Sequence, residues 1–175
     1  NFFRAVYEKL FILTDKREEW EKDRWDIRVL NVKYGVEYNR SKTDYFVDFA
    51  KIENDVFRQY FKKYLQTRLL GGGRFSWGTA RKYSNFVSRF LNYISEMEPK
   101  WNDLKGLTRH HIESYLNYLR DYSINELKQK NANPKQYRSD NITSVYTFLK
   151  DIQRFEYSIA TEKSTTLLLY PEDYP

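Results

Sequence analysis

Apolar residues recur three and four positions apart over most of the chain beyond residue 50, as they do on one side of an α-helix. Three glycines at 71–73 interrupt the pattern, because residues without a Cβ make continued helix costly. The pattern predicts an all-α fold, a compact bundle of four main helices at about 50–70, 77–97, 108–122 and 135–157.

The N-terminal part of the chain has a less regular pattern. Residues 2–13 carry apolar positions at helical spacing, whereas residues 25–29 alternate apolar and polar positions like a short strand. Residues 45–49 alternate in the same way and are a candidate partner for that strand. We therefore expect an N-terminal region with one helix and a short β pair.

These patterns divide the chain into three predicted parts. Residues 1–49 form an N-terminal extension, and residues 50–160 form the helical domain. Residues 161–175 look like the start of a linker, which suggests a segment of a longer protein. Aromatic residues make up 18% of the chain, with 16 Tyr and 12 Phe, and this content argues against disorder.

Several classes of function lack the residues that they require. The chain has no Cys, and its adjacent histidines, His110 and His111, point about 100° apart on a helix with no obvious third ligand. Residues 71–74 lack the Gly-Lys-Ser/Thr ending of a phosphate-binding loop, and no nucleophile motif occurs. We therefore expect no catalytic residue, no metal and no cofactor. No apolar run is long enough for a membrane span and no signal peptide opens the chain, so we expect a cytoplasmic protein.

The positive charge is unevenly distributed. The net charge is only +6, but residues 56–95 contain no Asp or Glu. Such a concentration favours a polyanionic partner, although a solvated basic face is the alternative. The cations of this acid-free stretch are Arg58, Lys62, Lys63, Arg68, Arg74, Arg81, Lys82 and Arg89.

Two predicted helices carry polar, basic faces opposite their apolar stripes. Arg and Lys neutralise phosphates, and Asn and Arg also pair with base edges. On the second helix and its N-terminal end, the candidate DNA-binding residues are Arg74, Ser76, Thr79, Arg81, Lys82, Asn85 and Arg89, with Ser76 as the expected N-cap. On the fourth helix they are Lys135, Arg138, Ser139, Thr143, Thr147, Lys150 and Arg154. Tyr83 and Phe90 lie on the apolar face and are expected in the core.

Several motifs resemble the N-terminal core-binding (SAM-like) domain of tyrosine recombinases, the phage-integrase and transposase group. Residues 76–83 read Ser-Trp-Gly-Thr-Ala-Arg-Lys-Tyr and lead to Phe-Leu-Asn-Tyr-Ile at 90–94. Leu107-Thr108, followed by Ile112 and Tyr115-Leu116, is similar to the third helix of that domain. The resemblance covers about residues 50–175, and the earlier Trp-Asp-Ile-Arg stretch is similar to transposases of the Tn554 type.

The resemblance implies a function for the whole protein. In this family the domain grips one side of duplex DNA, its second and fourth helices face the major groove, and a C-terminal catalytic domain closes from the other side. The family's His-x-x-Arg motif is absent, since Glu113 and Ser114 stand three residues after His110 and His111. The resemblance therefore implies a fragment of a bacterial DNA integration and recombination enzyme without its catalytic domain. Expected partners are double-stranded DNA, that domain and other protomers in a homotetramer on DNA.

Two other functions remain open for these residues. A helical protein-interaction module would use its basic faces only for solubility and would show no salt-dependent DNA binding. An RNA-binding helical domain would prefer structured RNA over duplex DNA, although no RNA-module motif is present.

Overall fold

The computed structural model describes residues 2–127 and 133–175 of the chain. Within them the fold is an all-α bundle with one small antiparallel β pair, which confirms the predicted fold class. The strands are β1 (Arg24–Asp26) and β2 (Phe46–Asp48), and short 3-10 turns lie at Glu19–Glu21 and Pro171–Asp173. The helices are α1 (Phe2–Thr14), α2 (Ile27–Tyr34), α3 (Asp55–Leu70), α4 (Trp77–Met97), α5 (Arg109–Leu127), α6 (Pro134–Arg154) and α7 (Thr165–Leu168).

Capping residues explain where the main helices begin. Helix α4 has the predicted bounds of 77–97, whereas α3 begins five residues later than residue 50, because Asn54 caps it by accepting a hydrogen bond from the Phe57 amide at 3.0 Å. Asn133 caps α6 in the same way through the amides of Lys135 and Gln136. Helix α5 continues five residues past 122, and α6 ends three residues before 157.

The predicted β pair is confirmed, with Trp25 opposite Val47 in the antiparallel register. The strand is shorter than predicted, however, because residues from Ile27 onward form α2. Asp26 stops the strand and caps the helix, since its carboxylate accepts a hydrogen bond from the Arg28 amide at 2.9 Å. The prediction of a strand over residues 27–29 was therefore wrong.

The N-terminal residues share one apolar core with the bundle. Trp25 and Phe49 are fully buried with their ring centroids 4.5 Å apart, and Phe49 lies 6.0 Å from Phe61 of α3. Buried Lys62 of α3 donates a hydrogen bond to the Glu21 carbonyl at 2.6 Å. The division of the chain at residue 49 stays a prediction, and these contacts join its two sides.

The C-terminal residues also pack on the bundle. Leu168 and Leu169 are buried, and α7 contacts α5 and α6. Arg109 of α5 forms hydrogen bonds of 2.5 and 2.7 Å with the Asp173 carboxylate. Burial alone would raise the pKa of Asp173, but the hydrogen bonds from Arg109 and the Tyr170 amide hold it below its usual value. A linker role for residues 161–175 stays a prediction.

Among residues 2–127 and 133–175, none of the helices combines the length and apolar character of a membrane span.

Replacing Trp25 by Ala should lower the free energy of unfolding by about 3–5 kcal/mol, because a fully buried ring that packs against Trp20 and Phe49 is removed. Chemical denaturation followed by circular dichroism measures the change. Val32→Ala is the control, since Val32 is 85% exposed and its replacement should change stability by less than about 0.5 kcal/mol. An unchanged stability of Trp25→Ala would show that the N-terminal residues do not contribute to the bundle.

Candidate nucleic-acid interface

Ser76 caps the N-terminus of helix α4, as predicted. The Ser76 hydroxyl accepts a hydrogen bond from the Thr79 amide at 3.2 Å, and the two hydroxyls lie 3.1 Å apart. The predicted interruption at residues 71–73 is also confirmed, because α3 ends at Leu70. In this glycine turn (residues 71–74), Gly72 and Gly73 have positive φ values that other residues rarely adopt. The buried stripe of the helix comprises Trp77, Ala80, Tyr83, Val87, Phe90, Leu91 and Ile94, which confirms Tyr83 and Phe90 as core residues.

Helices α4 and α6 pack against each other, so their predicted basic faces are neighbours. Lys82 of α4 forms a 3.0 Å ion pair with Asp140 of α6, and both side chains remain partly exposed at 42% and 31%. Nearby, the rings of Phe86 and Tyr137 meet edge to face at 5.3 Å. The polar faces of the two helices therefore meet at the Lys82–Asp140 pair.

Ion pairs neutralise much of the acid-free stretch 56–95. In the described residues, Lys63, Arg74 and Arg89 of this stretch have no acidic partner, and Lys63 and Arg89 lie over the rings of Tyr157 and Tyr122. The charge of the segment therefore overstates the positive charge on the surface. The paired cations are Arg58 with Asp23 and Asp55, Lys62 with Asp23, Arg68 with Asp151, Arg81 with Asp44 and Lys82 with Asp140.

The candidate residues of α4 mostly hold the fold together. Arg81 forms an ion pair with the Asp44 carboxylate at 2.5 Å and donates a hydrogen bond to the Phe46 carbonyl at 3.3 Å. These two contacts attach the β2 region to the helix. Asn85 accepts a hydrogen bond from the Lys51 ammonium at 2.7 Å. Arg74 is exposed in the glycine turn and has no ion pair within the described part of the chain.

Among the described residues, the candidate cations of α6 have fewer acidic partners than those of α4. Lys135, Thr143, Lys150 and Arg154 are exposed, and neither Lys135 nor Lys150 has an ion pair among residues 2–127 and 133–175. Arg154 lies 5.3 Å from the Phe155 ring. Half-buried side chains complete the face, namely Arg138, Ser139 and Thr147.

A cavity of about 610 Å³ opens between α4, α5 and the start of α6. Arg89 lies 3.8 Å from the Tyr122 ring, and Tyr118 and Tyr137 flank that ring at 6.1 and 6.0 Å. Of these residues, sequence reasoning selects Arg89 as a DNA-binding candidate and Tyr137 as an additional donor near the start of the fourth helix, but neither Tyr118 nor Tyr122. Tyr118 and Tyr122 stand four residues apart on α5, and this spacing is the signal that could have drawn attention to them.

Burial and nearby groups set the charges in this cavity. Burial alone would lower the pKa of Arg89, but Tyr137, Tyr122 and Tyr118 raise it, so the guanidinium stays charged. Burial lowers the pKa of Lys51; the carboxylate of Asp48 opposes this change, and the positive charges of Arg89 and Arg81 add to it. Burial also raises the pKa of Tyr137. The cavity therefore presents the positive charge of Arg89 beside Tyr137, whose raised pKa keeps its hydroxyl neutral at neutral pH.

The two adjacent histidines, His110 and His111, differ in their surroundings. The Thr108 amide donates a hydrogen bond to His111 Nδ1 at 3.1 Å, which places the ring proton on Nε2, 3.3 Å from Glu98. His111 is buried beside Trp101, whereas His110 is exposed. Within the described ranges, no group of three His, Cys, Asp or Glu side chains is arranged to hold a metal ion.

Curated relatives similar to this chain are transposases. Transposase B from transposon PsiTn554 of Staphylococcus aureus is 28% identical over 158 residues, which is 90% of this chain and 22% of that protein. Transposase B from transposon Tn554 of S. aureus strain Mu50 / ATCC 700699 is 26% identical over 173 residues, 99% of this chain and 24% of that protein. These similarities support a transposase or recombinase family for this chain.

The chain spans less than a quarter of the length of these curated relatives. No family model matches the chain, and no solved structure matches it.

Replacing Ser76 by Ala should lower the free energy of unfolding by about 1 kcal/mol, because the Thr79 amide loses its acceptor. Ser76→Asp keeps an acceptor and should stay within about 0.5 kcal/mol of the original chain. Urea denaturation measures both changes, with Ser41→Ala in an exposed loop as the control. Equal stability of the Ala and Asp variants would contradict a capping role.

Proposed function

We propose that this chain is the core-binding domain of a tyrosine recombinase of the transposase group and that it binds duplex DNA through the outer faces of α4 and α6. The domain holds the recombination site while a catalytic domain outside this sequence cleaves and exchanges the strands. The observation that carries the proposal is the meeting of the two polar helix faces at the Lys82–Asp140 pair. Exposed Lys135 and Lys150, which have no ion pair in the described part of the chain, stand before and after Asp140 along α6.

The candidate residues have two different roles in this proposal, according to their exposure and contacts. Lys135, Lys150 and Arg154 are exposed on α6, and Arg74 is exposed beside the N-terminus of α4, so these four bind phosphates. The hydroxyls of Ser139, Thr143 and Thr147 add hydrogen-bond donors for the backbone or base edges. Arg81 and Ser76 act indirectly, because they position α4 through their contacts with Asp44, Phe46 and Thr79.

The similarity to transposase B extends over nearly the whole chain and supports this assignment. A transposase acts on DNA, and exposed cations on two adjacent helices supply the sequence-independent part of DNA affinity. In the proposed full-length protein this domain contributes positioning and no catalytic residue. Its further proposed partners are the catalytic domain of the same chain and other protomers in a homotetramer on DNA.

The two alternative functions predict different binding results. A protein-interaction module would bind neither duplex DNA nor RNA with a steep dependence on salt. An RNA-binding domain would prefer a structured RNA over a duplex DNA of equal length at the same salt concentration. A competition between the two nucleic acids, followed by fluorescence anisotropy, separates the three functions.

Replacing Lys150 or Lys135 by Ala should weaken duplex binding by about 1 kcal/mol each, because each change removes one exposed cation that neutralises a phosphate. The slope of log affinity against log salt should become shallower by about 0.9 for each phosphate that is no longer neutralised. Anisotropy titrations from about 50 to 200 mM salt measure both quantities.

Lys100→Ala is the matched control, because it removes the same charge from an exposed lysine in the loop between α4 and α5. It should leave the slope unchanged. Equal effects of the Lys100 and Lys150 substitutions would mean that net charge governs binding, and affinity independent of salt would contradict the proposed function.

Replacing Asp140 by Asn should strengthen duplex binding by about 0.5–1 kcal/mol, because the change removes a negative charge from the interface and releases Lys82. Stability should change by less than about 1 kcal/mol, since the pair is partly exposed. Anisotropy at low salt measures the gain, and Asp121→Asn on α5 controls for net charge. An equal gain from the control would contradict an interface at α4 and α6.

A further inference from the structure

The cavity between α4, α5 and α6 has features that duplex phosphate binding does not use. It is called here the tyrosine groove, and the lining residues that matter are Lys51, Ser88, Arg89, Tyr93, Tyr118 and Tyr122. Its volume of about 610 Å³ lies within the usual range for small-molecule sites. Tyr93 and Tyr118 form an aromatic wall, with their ring centroids 4.9 Å apart and a tilt of 30°.

Unsatisfied polar atoms in the groove indicate a ligand. Ser88 is only 2% exposed and lines the groove, yet its hydroxyl has no hydrogen-bond partner among the described residues. The buried Nε of Arg89 also lacks a partner within the same ranges. Buried polar atoms are normally hydrogen-bonded, because leaving one unpaired costs free energy. Both atoms are enclosed by protein, so an acceptor atom of a ligand at this end of the groove would pair with them after a small side-chain movement.

The two ends of the groove differ in charge. The positive end holds Arg89 and Lys51, whose ammonium is fixed by its 2.7 Å hydrogen bond to Asn85. Glu96 also lines the groove, seven residues and about 10 Å further along α4 from Arg89. The end with Arg89 and Lys51 favours an anionic group of a ligand, whereas the Glu96 carboxylate can accept a hydrogen bond from a ligand amino group.

We infer that the tyrosine groove binds one unpaired nucleotide, with its phosphate at Arg89 and Lys51 and its base against Tyr93 and Tyr118. Aromatic side chains bind bases by stacking, and cations bind the backbone phosphate of a single strand. A base inside a duplex has both faces covered by its neighbours, so only an unpaired base can enter a concave groove. The inference depends on the proposed function only for the source of the nucleotide, which is a DNA strand.

The experiment compares a fully paired duplex with the same duplex carrying one bulged nucleotide. The chain should bind the bulged duplex about fivefold more tightly or better, from one base stacked on aromatic rings. Tyr118→Leu should abolish this preference and leave the affinity for the paired duplex unchanged. Tyr174→Leu is the matched control, because Tyr174 and Tyr118 are equally exposed, at 37% and 36%, and Tyr174 does not line the groove.

A second measurement uses the free mononucleotide dAMP. It should quench tyrosine fluorescence and compete away the preference for the bulged duplex, with both effects absent in Tyr118→Leu. Inorganic phosphate should compete more weakly, because it lacks the base. Equal competition by phosphate would overturn the assignment of the tyrosine wall to a base.

The outcomes separate this inference from the proposed function. Salt-dependent binding of both duplexes with equal affinity, and no response to dAMP, would overturn the nucleotide site while the proposed function stands. A bulge preference that persists in Tyr118→Leu would also overturn the site. Binding of dAMP without binding of either duplex would support the site and contradict the proposed function.

Discussion

A continuous series of aromatic contacts connects the N-terminal β pair to the last long helix. Trp25 packs on Phe49, Phe49 on Phe61, and Phe61 on Phe148 of α6, with centroid distances of 4.5, 6.0 and 5.7 Å. Each of these rings is fully buried. Large rings contribute much of a core's burial free energy, and their edge-to-face contacts restrict the helices to one arrangement. Tyr64 of α3 also stacks on Tyr83 of α4 at 6.4 Å, so the relative placement of α4 and α6, and hence the proposed interface, depends on this core.

The fold uses many of its cations as structural side chains. Arg68 pairs with buried Asp151, and Arg81 joins α4 to Asp44. Lys62 reaches Asp23 from a buried position on α3. A buried or half-buried cation needs such a partner, because removing it from water without one is costly. Among the candidate cations of the proposed interface, those that remain available for a polyanion are therefore the ones on exposed positions of α6 and in the glycine turn before α4.

Local signals predicted much of the fold, whereas the groove depends on packing between helices. The bounds of α4 follow from its cap at Ser76 and an uninterrupted apolar stripe, both visible in a single segment. Helix α2 was missed because the alternation of apolar and polar residues at 25–29 fits a continuous strand as well as a short strand followed by a helix. Only the capping contact of Asp26 distinguishes these two possibilities. The tyrosine groove was missed because Arg89, Tyr122 and Tyr137 come from three helices, and their meeting depends on packing.

The position of each helix in the bundle explains its share of the proposed interface. Helix α4 contacts β2, α3, α5 and α6, so long side chains around most of its circumference meet protein groups. Arg81, Asn85 and Arg89 are consequently held by Asp44, Lys51 and Tyr122, although their spacing alone suggests a free polar face. Helix α6 leaves Lys135, Lys150 and Arg154 exposed. In the proposed interface, phosphate binding therefore falls mainly to α6, while the side chains of α4 fix the spacing of that interface and line the groove beside it.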